Sequence, residues 1–182
     1  MVLQAYANQF NITKLKWIFE GGDSNQHSIR NGLWGLRDAG CAEDDIILVH
    51  DGVRPLVAER IITENIEKCR KYGYAITGMI CKEAIMQKVD DCVKNIDIPR
   101  ERLVRTQTPH TYPLSTLLKA HAEADAKGID GTVASCTLMA ELGVDNQHLV
   151  MGSEKNGLKL TQTEDVELFK ALKHTTKDEW LK

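Results

Sequence analysis

The stretch Ile46-Ile47-Leu48-Val49-His50-Asp51-Gly52-Val53-Arg54-Pro55 constrains this chain more than any other. Four branched apolar residues in succession predict a strand buried on both faces, the pattern of a central strand in a parallel sheet. The run ends at His50-Asp51, and Gly52 and Pro55 bar further regular structure. An acid therefore stands at the carboxyl end of the strand, with a cation three residues on. Open α/β sheets bind their ligands at that edge. Asp51, a pure acceptor when ionised, suits a divalent metal or a ribose hydroxyl. Arg54 suits a phosphate, onto which its guanidinium forks. The same two residues equally suit a plain ion pair that pins the loop.

A chain of 182 residues is the length of one domain, spanning 1–182, with enough chain to bury a core. The formal net charge of −3 comes without any Lys/Arg-rich stripe, which argues against nucleic acid as a partner. No apolar run reaches membrane-spanning length, and no basic-then-apolar leader opens the chain, so the expected setting is cytoplasmic. Five cysteines, scattered and never in a Cys-x-x-Cys pair, point to neither a disulfide framework nor a zinc site.

Helix and strand signals alternate along the chain. Val2 to Phe10 reads as a short helix, and Lys14 to Phe19 as a strand of alternating character. Asp23 is placed to cap a helix that runs through Ile29, Leu33 and Leu36 to Gly40, with Gln26 reaching back as in a capping box. Ala58 to Tyr72 predicts a helix stopped by Gly73, and Ala75 to Cys81 a second apolar strand. Lys82 to Ile98 reads as an antiparallel arm, with strands at 85–89 and 92–96 around an Asp90-Asp91 turn. Arg102 to Thr106 is a strand that Thr108-Pro109 breaks. Pro113 opens a helix, Thr132 to Leu142 forms another, and Leu158-Lys159-Leu160 forms a short last strand. Thr161 and Glu164 match a capping box for the helix that follows. The order predicts an α/β fold in three layers with a mostly parallel sheet.

Three further clusters carry chemistry. Gly21-Gly22-Asp23 with Ser28 lets backbone approach a flat ligand, with Asp23 and Ser28 as hydrogen-bonding partners; it equally fits an ordinary strand-to-helix turn. Arg100, Arg102 and Arg105 lead into Thr108-Pro109 and suit an anion, or a solvated charged loop. Lys159, just before a helix start, is placed to meet a phosphate near that N-terminus, or serves as an edge-strand lysine. Walker, Gly-x-Gly-x-x-Gly and Ser/His/Asp patterns are missing.

Gly22-Asp23…Ser28, His50-Asp51-x-x-Arg54-Pro55, Arg100 eight residues before Thr108-Pro109, and Lys159-x-Thr161-x-x-Glu164-Asp165 together resemble the cytidylyltransferases of the isoprenoid and teichoic-acid pathways. Those enzymes join CTP to 2-C-methyl-D-erythritol 4-phosphate or D-ribitol 5-phosphate, releasing pyrophosphate. The resemblance runs from about Lys14 to Lys173. It implies a Rossmann-like nucleotidyltransferase with a dimerisation arm at about 82–98, working as a homodimer with Mg²⁺. It implies that Gly22, Asp23 and Ser28 contact cytosine, and that Asp51 lies beside the metal, the ribose and the reacting phosphates. Arg54 and Lys159 would bind the polyol phosphate, and Arg100 and Thr108 would reach the polyol phosphate of the neighbouring subunit. Asp51, Arg54 and Lys159 would form the catalytic set.

The chain departs from that family in three places. The family opens with a strand and a glycine-rich loop whose arginine and lysine cradle the triphosphate; here that segment is missing, which predicts a fragment or truncated gene. Glu83-Ala84 stands where the methylerythritol enzymes carry Asp-Thr, and Gly131-Thr132-Val133-Ala134-Ser135 lacks the family's acids. The expected substrate is 2-C-methyl-D-erythritol 4-phosphate, with D-ribitol 5-phosphate as the alternative. A further alternative is an inactive fragment that serves only as a dimeric binding module.

Overall fold

The computed structural model describes residues 2–175, and their contacts group into two compact units. The first unit joins Met1–Asp45 to Leu114–Leu142, and the second joins Ile46–Pro113 to Gly143–Lys182. Among the described residues no helix is long and apolar enough to cross a membrane.

The first unit is helical: α1 (Val2–Gln9), α2 (Asn25–Asp38), α4 (Leu114–Lys127) and α5 (Ser135–Glu141). Leu33 of α2, Leu117 and Ala124 of α4, and Leu138 of α5 are buried at helical spacing. The N-cap of α2 is Ser24, whose hydroxyl accepts from the His27 amide at 3.1 Å. This corrects the expected Asp23/Gln26 capping box. With Ser24 as the cap, His27 occupies the third helical position, where a box needs Glu or Gln. Gln26 turns inward instead: its Nε2 donates to the Ile129 carbonyl, and its Oε1 accepts from the amide and hydroxyl of Thr132. The expected strand at 14–19 is extended chain without a ladder, because no described strand lies beside it to take its hydrogen bonds.

The second unit holds β1 (Ile46–Val49), α3 (Glu59–Tyr72), β2 (Ala75–Ile80), β3 (Met86–Val89), β4 (Cys92–Asn95), β5 (Val104–Pro113), β6 (His148–Met151), α6 (Glu154–Gly157) and α7 (Thr163–Thr175). The main sheet has the order β1-β5-β2-β6. Strands β1, β2 and β6 run the same way; β5 runs against them, between β1 and β2. The expected central strand is therefore at one end of the described sheet, and its four residues are half-buried rather than buried on both faces. Helix α3 covers the sheet with Ile61 and Cys69, packed on Ala75 and Val150. Gly73 ends α3 in the left-handed conformation, at φ 88°.

Strand β5 is longer than its sequence predicts. It passes through Thr108–Pro109, a cis peptide bond, rather than stopping there. The register with β2 shifts at Ile76/Thr77, so Thr108 and Pro109 fall outside the one-to-one ladder. A residue with no N–H is tolerated in such a bulge. Pro113 is accordingly the last residue of β5, and α4 begins at Leu114. The arm has the expected form: β3 and β4 pair antiparallel, Val89 opposite Cys92, around Asp90 at φ 51°. The expected strand at 158–160 is a loop, and β6 lies upstream of it; only one backbone bond, from Leu160 N to Val53 O, ties that loop to the Asp51 loop. Asp165 rather than Glu164 reaches back over the start of α7, accepting from the amides of Thr161 and Gln162 at 2.8 Å.

Candidate functional site

The chain leaves β1 at Val49 and turns at once, with Arg54 N donating to Asp51 O at 2.9 Å. That turn brings Asp51 and Arg54 onto one side of the loop. Arg54 Nε meets Asp51 Oδ2 at 2.9 Å, and Arg54 Nη1 donates to the Gly157 carbonyl at 2.6 Å. Lys159 Nζ lies 3.6 Å from the same Asp51 oxygen. Two cations thus share one carboxylate oxygen, and Asp51 Oδ1 takes no partner among the described residues. The side chains of Arg54 and Asp51 are 13% and 25% exposed while that of Lys159 is 47% exposed. The guanidinium is anchored by two partners, and the ammonium, on its flexible four-carbon stem, is the more exposed of the two cations. The sequence left open whether Asp51 and Arg54 pair with each other; they do.

A buried frame supports this cluster. Thr108 Oγ1 accepts from the Asp51 amide at 3.1 Å and lies 3.0 Å from His50 Nδ1. His50 Nε2 lies 2.9 Å from the Arg54 carbonyl. Asn156 Nδ2 donates to Gln107 Oε1 and to the Thr108 carbonyl, and Gln107 Nε2 to the Ser153 carbonyl. These bonds seat α6, and with it the Gly157 carbonyl that receives Arg54, on β5. Nearby His110 is 2% exposed, with Nε2 unpartnered. Burial pushes its pKa down to about 4, against a backbone hydrogen bond with Gln107 and the charge of Asp51, which pull it up. It is neutral at pH 7.

The remaining expected residues fall elsewhere. In the helical unit, Gly22 N donates to Ser28 Oγ at 3.0 Å, and that hydroxyl also bonds the Gly22 and Ser24 carbonyls. A Cβ on Gly22 would sit 2.4 Å from His27 Cβ, so only glycine lets the loop close on α2. Asp23 is exposed beside them. Gly22, Asp23 and Ser28 therefore form one group, and Asp51, Arg54, Lys159 and Thr108 another. Arg100 joins neither: in a 3₁₀ turn at Arg100–Arg102, its Nη1 donates to the Lys82 carbonyl at 3.1 Å. It lines a cavity of about 600 Å³ at the foot of the arm, with Ile85, Met86, Ile98 and Leu103. Of the other arginines in that stretch, Arg105 pairs with Glu154 at 2.7 Å.

Sequence reasoning missed His50, Gln107, Asn156 and the Gly157 carbonyl as parts of the frame. His50 lay in plain view within the His50-Asp51-x-x-Arg54-Pro55 motif. Gln107 and Asn156 carried no signal, because their partners are far away in the chain.

A family model described as IspD, 2-C-methyl-D-erythritol 4-phosphate cytidylyltransferase, matches residues 4–174. The chain is similar to the ribitol-5-phosphate cytidylyltransferase of Lacticaseibacillus paracasei, 41% identical over 169 residues that cover 91% of this chain and 70% of that protein. It is also similar to the 2-C-methyl-D-erythritol 4-phosphate cytidylyltransferase of Clostridium acetobutylicum, 34% identical over 164 residues, 90% of this chain and 68% of that protein. Among solved structures, that of 2-C-methyl-D-erythritol 4-phosphate cytidylyltransferase from Thermus thermophilus superposes with a TM-score of 0.70 at 28% identity, over 86% of this chain and 72% of that one.

Proposed function

The chain belongs to the IspD family of cytidylyltransferases, and from that premise we propose that it joins CTP to a polyol phosphate, yielding a CDP-polyol and pyrophosphate. The observation that carries the site assignment is the shared Asp51 oxygen, held between Arg54 and Lys159. Two cations gathered on one carboxylate form a site whose charges a phosphate dianion would complete. In this reading a phosphate oxygen of the polyol attacks the α-phosphorus of CTP and pyrophosphate leaves in line. Arg54 and Lys159 hold the attacking phosphate, and Lys159, the more exposed, exchanges Asp51 for it. Gly22, Asp23 and Ser28 receive the cytosine, Gly22 through its backbone.

Mg²⁺ fits the donor set. It keeps several waters and takes its remaining ligands from one or two carboxylates and the substrate phosphates, so Asp51 Oδ1 suffices on the protein side. No group of three or more His, Cys, Asp or Glu that could hold a metal occurs among the described residues. When bound, the ion would neutralise charge on the phosphates. The working form in this reading is a cytoplasmic homodimer joined through the arm, with Arg100 reaching the partner's substrate. Thr108, whose hydroxyl already serves Asp51 and His50, contributes by holding its own loop.

D-Ribitol 5-phosphate is favoured as the polyol by the Lacticaseibacillus relative. 2-C-Methyl-D-erythritol 4-phosphate, the first expectation, is supported by the family model and the Clostridium relative. The test is pyrophosphate release from CTP and Mg²⁺ with each polyol phosphate in turn, for wild type and Asp51→Asn. Turnover with one substrate, lost in the variant, is the expected result. Folded protein that neither turns over nor binds CTP by calorimetry would overturn the assignment and favour the non-catalytic module.

A further inference from the structure

Resting on the cytidylyltransferase reading, we propose that His50 is a positioning residue that sets the Asp51 carboxylate and the Arg54 guanidinium through hydrogen bonds at both edges of its ring. The Arg54 carbonyl only accepts, so Nε2 carries the proton in the 2.9 Å contact. In the neutral ring Nδ1 is then an acceptor, and the Thr108 hydroxyl donates to it across 3.0 Å. That orients the hydroxyl so that a lone pair receives the Asp51 amide at 3.1 Å. One imidazole thus governs both ends of the four-residue turn: Arg54 directly, Asp51 through Thr108. The Thr108 anchor stands on β5, the strand hydrogen-bonded to β1 and β2.

The chemistry of the ring excludes the obvious rival role. Both nitrogens are occupied inside the loop, so His50 offers no lone pair or proton to a substrate. Its effect passes through residues that do face the substrate. Without it, the Arg54 carbonyl loses its partner and the Thr108 hydroxyl loses the acceptor that orients it toward the Asp51 amide, while the Arg54 N to Asp51 O bond, the ion pair and the Arg54 contact with Gly157 remain. The carboxylate and guanidinium would then leave from backbone positions held by fewer bonds at both ends of the turn. A misplacement of about 1 Å at a phosphoryl-transfer site costs roughly 100-fold in rate.

Two readouts test this. Asp51 amide exchange and the Arg54 Nε–H resonance are followed by NMR in wild type, His50→Ala, His50→Asn, His50→Gln, Thr108→Val and Thr108→Ser. Asparagine retains a polar group near Nδ1, glutamine one near Nε2. His50→Ala is expected to speed Asp51 amide exchange about tenfold and to shift or broaden Arg54 Nε–H. His50→Asn should spare the Asp51 signal, and His50→Gln the Arg54 signal. Thr108→Val should expose the Asp51 amide, and Thr108→Ser should restore it. In turnover, His50→Ala is expected to lower kcat roughly 10- to 100-fold with KM for CTP within about twofold. In the double variant with Thr108→Val the two losses should be less than additive. If His50→Ala does not fold, the Asn and Gln variants decide. Wild-type Asp51 and Arg54 signals in every folded His50 variant would overturn the proposal. Absence of turnover in the wild type would instead overturn the enzyme reading, while the NMR signals still decide what His50 holds.

Discussion

Arg54 does two things that a lysine cannot do together: Nε meets the Asp51 carboxylate while Nη1 reaches the Gly157 carbonyl. Its planar fork fixes the angle between those partners, whereas an ammonium is a single point of charge. Arg54→Lys is therefore expected to lower kcat/KM for the polyol phosphate roughly 10- to 100-fold while the fold survives; steady-state kinetics beside a melting curve checks both. A second residue illustrates stability rather than chemistry. Asn65 is fully buried; its Nδ2 donates to the Ile61 carbonyl and Thr77 Oγ1, and its Oδ1 accepts from Thr111 Oγ1. Asn65→Ala leaves a cavity and removes the partner of the Thr111 hydroxyl. It should cost about 2 kcal/mol, read as a fall in the urea midpoint without a change of slope. A polar residue on the inner face of a predicted helix gives no hint of such a role, since Thr77 and Thr111 stand on strands outside that helix.

At the scale of elements, the arm is the part whose sequence and structure agree best. Its short polar-apolar alternation and adjacent aspartates specify a hairpin by local chemistry alone. What the hairpin leaves uncovered is informative: Met86 is 49% and Val93 64% exposed. Apolar side chains on a two-stranded ribbon gain nothing from standing in water, and a second copy is the occupant proposed above. Val93→Asp should shift the protein toward monomer in sedimentation velocity, with an unchanged circular dichroism spectrum. A monomeric wild type would remove the arm's proposed role. Elements that depend on a partner strand were read less well. The chain at 14–19 has strand alternation and no ladder, and β6 has only four residues and little pattern of its own. Pro109 looked like a strand stop because the bulge that shelters it is made jointly with β2.

At the scale of the whole molecule, two buried histidines set the response to acid. His110 and His121 are both nearly inaccessible; His110 Nε2 and both ring nitrogens of His121 have no hydrogen-bond partner among the described residues. Burial lowers each pKa from an ordinary 6.5 to about 4. The ionisable side chains facing His110 are Asp51, Arg54 and His50; those facing His121 are Asp125, Arg30 and His27. The unfolded chain binds these protons first as pH falls. The stability held by each neutral ring is therefore complete above about pH 6.5 and drains away as pH drops toward 4. Urea midpoints at pH 7.5 and 5.0 should differ clearly, and His110→Gln should flatten the slope. A midpoint independent of pH across that window would contradict the burial of both rings.

Local chemistry sufficed for what neighbours in the chain decide. The helix stop at Gly73, the hairpin at Asp90-Asp91, and the acid and cation closing the strand at Asp51 and Arg54 are all readable from adjacent residues. So is the family, because its signature is a set of short motifs in order. Tertiary structure decided the rest. It placed β1 at the end of the described sheet, set β5 against its neighbours, turned Gln26 inward, and seated α6 so that a glycine carbonyl receives Arg54. Each of these depends on a hydrogen-bond partner tens of residues away, and a backbone or buried amide takes whatever partner the assembled fold brings to it.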